Sequence, residues 1–364
     1  MPILYLHTLS DARKSSILAG PKGFCSKKTV EKTGGKLVGP NIHCSPDLTR
    51  VRILSNDVEM RCFVLKIRDF IYFAKFGIKT VLLKKKEPIL GTVILTDKCN
   101  LSCKHCSVNN ITAVVHPYKQ IREEMRILYN NGVRILFFCG GETFLWSDEG
   151  KTLRDLVVEA KQMGFLIVNV VTNGTFKIDL PEADLILLSL DGDRIHHNII
   201  RGDTFDTIME NISQATSDNI CFYMAVNQIN KHAIPFVCKL AKETKNVRAV
   251  SFNFHTPYPD TKDLELTKED KVKCSEIIKE MIEQKMPVFN LKSALPYIID
   301  NSFPTPCYQC VVIENGKIST CGRCIEIDGL CEKCGYFFVA EYTLAFKGNV
   351  KIILEMLRTY LKYV

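Results

Sequence analysis

Cys99-Asn100-Leu101-Ser102-Cys103-Lys104-His105-Cys106 sets three thiols within eight residues, directly after the apolar run Thr92–Thr96. At the chain's own density of 16 cysteines in 364 residues, this spacing should arise by accident only about 0.03 times. Three thiolates so placed can wrap one corner of a [4Fe-4S] cubane, which otherwise takes four cysteines, and they leave the fourth iron open. An open coordination position separates a reactive metal site from a closed structural one. The alternative is zinc, which would need a fourth ligand from His105 or His116.

Outward from this loop the chain alternates. Short Val, Ile and Leu runs at Thr92–Thr96, Val133–Cys139, Leu166–Val171, Leu185–Leu190, Ile220–Val226 and Ala249–His255 read as buried strands. Between them Tyr118–Asn130, Thr152–Met163, Phe205–Thr216 and Ile234–Lys245 read as helices, with Asn131-Gly132 and Gly164 as stops. Alternation of this kind implies parallel βαβ units. A closed eight-strand barrel would need two further units, so the pattern predicts an α/β fold with a partial (β/α)6 barrel or an open parallel sheet.

Ligands of parallel sheets bind outside the carboxyl ends of the strands. Those ends carry the cysteine loop, then Gly140-Gly141-Glu142, then Thr172-Asn173-Gly174-Thr175, then Ser189-Leu190-Asp191-Gly192. Two glycines permit close backbone approach to a ligand, and a carboxylate accepts charge-assisted bonds from an ammonium group. Taken singly, the last two tetrapeptides are ordinary turns. Their recurrence at consecutive strand ends makes them candidate ligand groups.

The segments CNLSCKHC, FFCGGET, VTNGT and LSLDGDRIHHNIIRGDTFDTIMENI resemble those of the radical S-adenosylmethionine (SAM) superfamily, over about Gly91 to His255. The resemblance implies that Cys99, Cys103 and Cys106 bind the [4Fe-4S] cluster and that SAM chelates its open iron. It further implies a cofactor site of Gly140, Gly141, Glu142, Asn173, Ser189, Asp191 and Arg201. Glu142 would lie near the SAM amino group, Ser189 and Asp191 near the ribose or methionyl part, and Arg201 against the carboxylate. Reductive cleavage of SAM to a 5′-deoxyadenosyl radical, hydrogen abstraction and an electron donor such as flavodoxin or ferredoxin follow from the same likeness. Two positions depart from the family: Thr143 stands for its usual proline, and Asn227 for a glycine-rich adenine motif.

A second group, Cys307, Cys310, Cys321, Cys324, Cys331 and Cys334, makes three CxxC pairs within 28 residues. Val311–Ile313, Asn315-Gly316 and Lys317–Thr320 between them read as a hairpin. ENGKISTCGRC resembles the start of the SPASM or twitch extensions of the same superfamily, which implies an auxiliary [4Fe-4S] cluster. A zinc ion on four of the six thiolates is the alternative. Cys25, Cys44, Cys62, Cys139, Cys221, Cys238 and Cys274 read as small buried apolar residues.

The net charge of +8 is concentrated early: residues 1–87 hold 17 Lys plus Arg against 7 Asp plus Glu. Residues 1 to about 60 show no sustained period and read as irregular. Phe63–Leu83 is apolar but carries Lys66, Arg68, Asp69, Lys75 and Lys79, which excludes a transmembrane span and allows a surface-lying amphipathic helix. No recognition helix or aromatic interleaving points to nucleic acid. A signal-peptide core is missing from the Ile3–Leu6 run, so a cytoplasmic location is expected, with peripheral membrane contact left open. The expected organisation is a basic segment at 1–86, the barrel at 87–290, a cysteine-rich module at 291–340 and an amphipathic helix at 341–364. The substrate class stays open between a peptide and a lipid-linked molecule, and an iron-sulfur carrier without catalysis is the alternative function.

Overall fold

The computed structural model describes residues 71–106 and 112–364. The expectations for residues 1–60, for Cys25, Cys44 and Cys62 and for the start of the basic apolar helix lie outside the described residues. Residues 71–81 are helical (α1).

Six parallel strands form as the apolar runs predict: β1 (Leu90–Ile94), β2 (Ile135–Cys139), β5 (Ile167–Thr172), β6 (Leu185–Ser189), β7 (Ile220–Val226) and β8 (Val247–Phe254). Leu136 and Phe138 are fully buried, each such side chain contributing about 1.5–3 kcal/mol. A two-residue hairpin, β3 (Ser147–Asp148) with β4 (Lys151–Thr152), interrupts the path after β2. The crossovers carry α2 (Tyr118–Asn130), α3 (Leu153–Met163), α4 (Arg194–Arg201), α5 (Phe205–Ser213) and α6 (Ile234–Glu243). Helix α2 buries Ile121, Glu124, Met125 and Leu128, the stripe expected of a helix lying on a sheet. Helix α4 was not legible as a helix; Asp193 starts it by accepting from the N–H groups of Ile195 and His196.

After α7 (Lys268–Glu283) and the short α8 (Leu295–Ile299), the chain returns to the sheet. Strand β9 (Cys310–Glu314) pairs parallel with β1, Leu90 opposite Cys310, and β10 (Lys317–Thr320) pairs antiparallel with β9. The sheet thus has eight strands in the order β10-β9-β1-β2-β5-β6-β7-β8. The expected hairpin is present, and it extends the barrel's own sheet.

The chain ends in two helices, α9 (Phe337–Phe346) and α10 (Val350–Tyr363). The expected boundary at 340/341 falls inside α9, so cysteine segment and terminal helix are not divided there. Helix α9 is buried almost all round, which removes the amphipathic period by which a helix is read from sequence. Among the described residues no helix is long and apolar enough to cross a membrane.

Candidate active site

The loop carrying Cys99, Cys103 and Cys106 leaves β1 at the carboxyl edge of the sheet and is tied on both flanks. The Lys104 N–H donates to the Ile200 carbonyl of α4 (2.9 Å). Asn173 Nδ2 donates to Asn100 Oδ1 (2.8 Å), and Asn100 Nδ2 to Thr175 Oγ1 (2.8 Å). The sulfurs also accept hydrogen bonds: Cys99 from the Leu101 N–H (3.4 Å) and Asn173 Nδ2 (3.8 Å), Cys103 from Arg201 Nη1 (3.8 Å). Burial pushes the Cys103 thiol up to about 11, so it holds its proton until a metal displaces it, as coordination does outright. Donors aimed at sulfur are the groups that set the potential of a thiolate-held cluster.

Gly140 and Gly141 follow β2. A Cβ on Gly140 would stand 2.3 Å from the Thr96 carbonyl oxygen, and one on Gly141 2.3 Å from that of Lys98. No other residue type fits there. Glu142, next in line, is fully buried and does not line the cavity described below. Its carboxylate accepts from Thr172 Oγ1 (2.7 Å), the Asn173 N–H (2.7 Å) and the Phe144 N–H (3.0 Å). Three of about four acceptor positions are thereby taken, so Glu142 joins the β2 and β5 loops. Burial raises its carboxyl pKa, and these donors pull part of the way back.

Asp191 is likewise inaccessible and set behind the cavity wall. It accepts from Arg201 Nε (2.5 Å) and the Ala225 N–H (2.9 Å), with His105 Nε2 at 3.2 Å. Burial pushes Asp191 up, but the Arg201 guanidinium, His105, the Ala225 N–H and His197 together outweigh it, so the carboxyl sits below its ordinary value. Of the pair, Arg201 lines the cavity, and Asp191 holds it from behind. Burial lowers His105 to about 4, leaving it neutral, and among the described residues its buried Nδ1 has no hydrogen-bond partner.

Cys99, Cys103, Cys106, Gly140, Gly141, Asn173, Ser189 and Arg201 share the wall of one cavity of about 440 Å³. The cavity continues into the barrel past Asn169, Val171, Leu185, Leu187, Tyr223, Asn253 and Phe289 to Glu341, Tyr342 and Tyr360. Two tyrosine pairs line it: Tyr258 with Tyr336 (hydroxyls 3.3 Å apart) and Tyr342 with Tyr360 (2.6 Å). None of these interior residues was singled out from sequence. Asn169 interrupts the apolar run of β5, Asn253 lies between Phe252 and Phe254, and Glu341 is the one charge in the apolar helix FFVAEYTLAF; those were the available signals.

Cys321 and Cys324 also line the cavity, whereas Cys307, Cys310, Cys331 and Cys334 do not. The Cys307 and Cys310 side chains are hydrogen-bonded to each other, and burial pushes the Cys334 thiol up to about 12. All described cysteines are free thiols. Among the described residues no three Cys, His, Asp or Glu side chains are closed to the spacing of a single metal ion. Arg323, between Cys321 and Cys324, joins the two cysteine regions: its Nη2 donates to Asp97 Oδ1 (2.8 Å) and its Nε to Glu314 Oε2 (3.0 Å). Cys139, Cys221, Cys238 and Cys274 lie apart from both groups; the last three are buried, and Cys139 lines the cavity.

A parallel partial barrel with a three-cysteine loop after its first strand defines the radical SAM class, and residues 93–232 match the model of the Radical SAM superfamily. Those residues thus carry a Radical SAM domain, and that family implies a [4Fe-4S] cluster and SAM. It is 27% identical over 188 residues to 7,8-dihydro-6-hydroxymethylpterin dimethyltransferase of Methanocaldococcus jannaschii, covering 46% of this chain and 36% of that one. The chain thus spans about a third of that curated relative's length. SuiB of Streptococcus suis bound to S-adenosylmethionine superposes with a TM-score of 0.53 at 13% identity, over 74% of this chain and 66% of SuiB. SuiB bound to the precursor peptide SuiA gives 0.51 at 15% identity, over 77% and 70%. These two likenesses establish the fold.

Proposed function

We propose that the chain abstracts hydrogen from a substrate held inside the partial barrel, using SAM cleaved at a [4Fe-4S] cluster. The observation that carries this reading is the shared wall: three thiols, two glycines that admit no Cβ, Asn173, Ser189 and Arg201 border one cavity. The residues suit the cofactors. Cys99, Cys103 and Cys106 would hold the cluster, with N–H donors already on two of the sulfurs. Arg201, its charge matched by one buried carboxylate, would take the SAM carboxylate, with Glu142 fixing the Asn173 loop from behind the wall. When bound, cluster and SAM supply a 5′-deoxyadenosyl radical on reduction, with the electron from a flavodoxin- or ferredoxin-like donor.

The protein's own part is to orient and to exclude water. The aromatic wall formed by Phe137, Tyr223, Phe254, Phe289 and Phe338 keeps solvent from a radical that would otherwise be quenched. Both substrate classes raised by the sequence can be weighed here. The SuiB relative was solved with a precursor peptide, which motivates a peptide. The apolar interior, Leu90, Leu185, Leu187 and Val312 among its lining, suits a hydrocarbon chain better, and we favour a substrate with an apolar reacting part.

We further propose that Cys307, Cys310, Cys321, Cys324, Cys331 and Cys334 hold one auxiliary [4Fe-4S] cluster. Anaerobic reconstitution followed by iron and zinc analysis is the check: about eight irons per chain is expected, and about four irons with stoichiometric zinc would assign the module to zinc. The central reading is tested by incubating reconstituted protein with SAM and dithionite. 5′-Deoxyadenosine should form and should vanish in Cys103→Ala; none from the wild type would sink the proposal.

A further inference from the structure

Helix α10 has two sides with different work. Its inner side buries Ile352 and Tyr363 and sets Tyr360 and the following Val364 on the cavity wall. Its outer side carries Val350, Leu354, Leu357 and Leu361, spaced four, three and four residues apart, hence on one stripe. Val350 is 67% and Leu361 85% exposed. Lys347, Lys351, Arg358 and Lys362 run along one side of the stripe, all exposed, and among the described residues none of them has an acidic partner. The one acid of the helix, Glu355, is turned inward, accepting from the Ser293 N–H (2.9 Å) and Oγ (2.7 Å).

The surface continues past the amino end of the helix. Phe76 of α1 packs edge-on against Phe346 with ring centres 5.2 Å apart, and a Cβ on Gly348 would stand 3.2 Å from Val81 Cγ1. That contact brings the exposed Leu82 and Leu83, followed by Lys84, Lys85 and Lys86, to the turn that begins α10.

We propose that α10 and the 82–86 segment seat the protein on an anionic lipid bilayer, the leucine stripe entering the boundary between headgroups and acyl chains and the cations meeting lipid phosphates. An apolar stripe beside a polar face rich in cations is the form an interfacial helix takes. A second copy of the chain fits less well: a twofold interface sets the same patch against itself, and four cations would face four cations without an acid between them. No described helix spans a membrane, so the helix lies on the surface. Resting on the reading of the cavity as the substrate chamber, this placement makes a membrane lipid, or a molecule anchored by one, the substrate source, because the helix that meets the bilayer also walls the chamber.

The test uses the full reconstituted chain and phosphatidylcholine vesicles with and without phosphatidylglycerol, separated by flotation. The wild type should float with the anionic vesicles at low salt and be released as ionic strength shortens the Debye length below ~8 Å. Leu354→Glu/Leu361→Glu should lower the bound fraction at least about tenfold, with elution volume and substrate-free 5′-deoxyadenosine formation unchanged. Lys351→Glu/Arg358→Glu should remove the preference for anionic vesicles. A wild type that stays unbound with both vesicle types overturns the proposal, as does a wild-type dimer that the leucine variant splits. Flotation without 5′-deoxyadenosine would overturn the radical reading and leave the docking surface standing; 5′-deoxyadenosine without flotation would do the reverse.

Discussion

Asp191 and Arg201 meet out of water, 2.5 Å apart, behind and on the cavity wall. Removing one partner of such a pair strands the other charge and typically costs about 3–5 kcal/mol. Asp191→Asn should therefore lower the melting temperature strongly, while Asp191→Asn/Arg201→Met should recover part of the loss. A double variant less stable than Asp191→Asn would show that the pair is not the source. Glu341 is the complementary case. Burial pushes its carboxyl up to about 7 from an ordinary 4.5, against the pull of the Leu291 N–H and Asn290. The folded chain keeps a proton that the unfolded chain gives up across that interval. Stability from this residue is therefore full below about pH 4.5 and falls as pH rises to 7, by on the order of 3 kcal/mol. Glu341→Gln stays neutral throughout, so it should gain on the wild type between pH 5 and 7.5 in denaturant midpoints; a gap independent of pH would contradict this account.

At the scale of elements, the cysteine segment is bolted to the barrel through Gly335. Phe254, at the end of β8, donates its N–H to the Gly335 carbonyl (2.9 Å), and the Gly335 N–H donates to Thr256 Oγ1 (3.0 Å). A Cβ at 335 would stand 1.9 Å from the Phe254 carbonyl oxygen. Gly335→Ala must push this junction apart, and a cost of roughly 1–3 kcal/mol or more is expected. Loss of iron or zinc from the module alone, with the Cys99 loop still loaded, is the outcome to measure; equal loss from both would show that the junction is not local. Elements also show what a sequence can reveal. The six parallel strands and α2 were legible because their patterns are local. Strand β9 reads as half of a hairpin, yet its pairing with β1 joins residues more than 200 positions apart, and nothing local encodes that. The apolar helix α9 lacks a period, and the backbone N–H donors that hold Glu142 and Asp191 leave no mark in composition.

For the molecule as a whole, one cavity reaches from the Cys99 loop to the tyrosines of α9 and α10, with Cys321 and Cys324 on its side. If the module serves the substrate rather than SAM, Cys321→Ala/Cys324→Ala should still form 5′-deoxyadenosine and should fail only in substrate turnover. Loss of 5′-deoxyadenosine in that variant, with the Cys99 loop fully loaded with iron, would assign the module a part in the first step. The candidate ligands were legible as two cysteine clusters; that both border one chamber was not, since it depends on how β9 and β10 close against β1.

The chain contains a single tryptophan. Trp146 is 1% exposed and donates its indole N–H to the His116 carbonyl at 2.8 Å, just past the Gly140-Gly141-Glu142 turn. Its fluorescence therefore comes from one address beside the cofactor loops. Emission should be blue-shifted in the folded protein, dim as an iron-sulfur cluster is built nearby, and move to the red when this corner opens. Loading and local unfolding can thus be followed optically, without a label, in the protein as it stands.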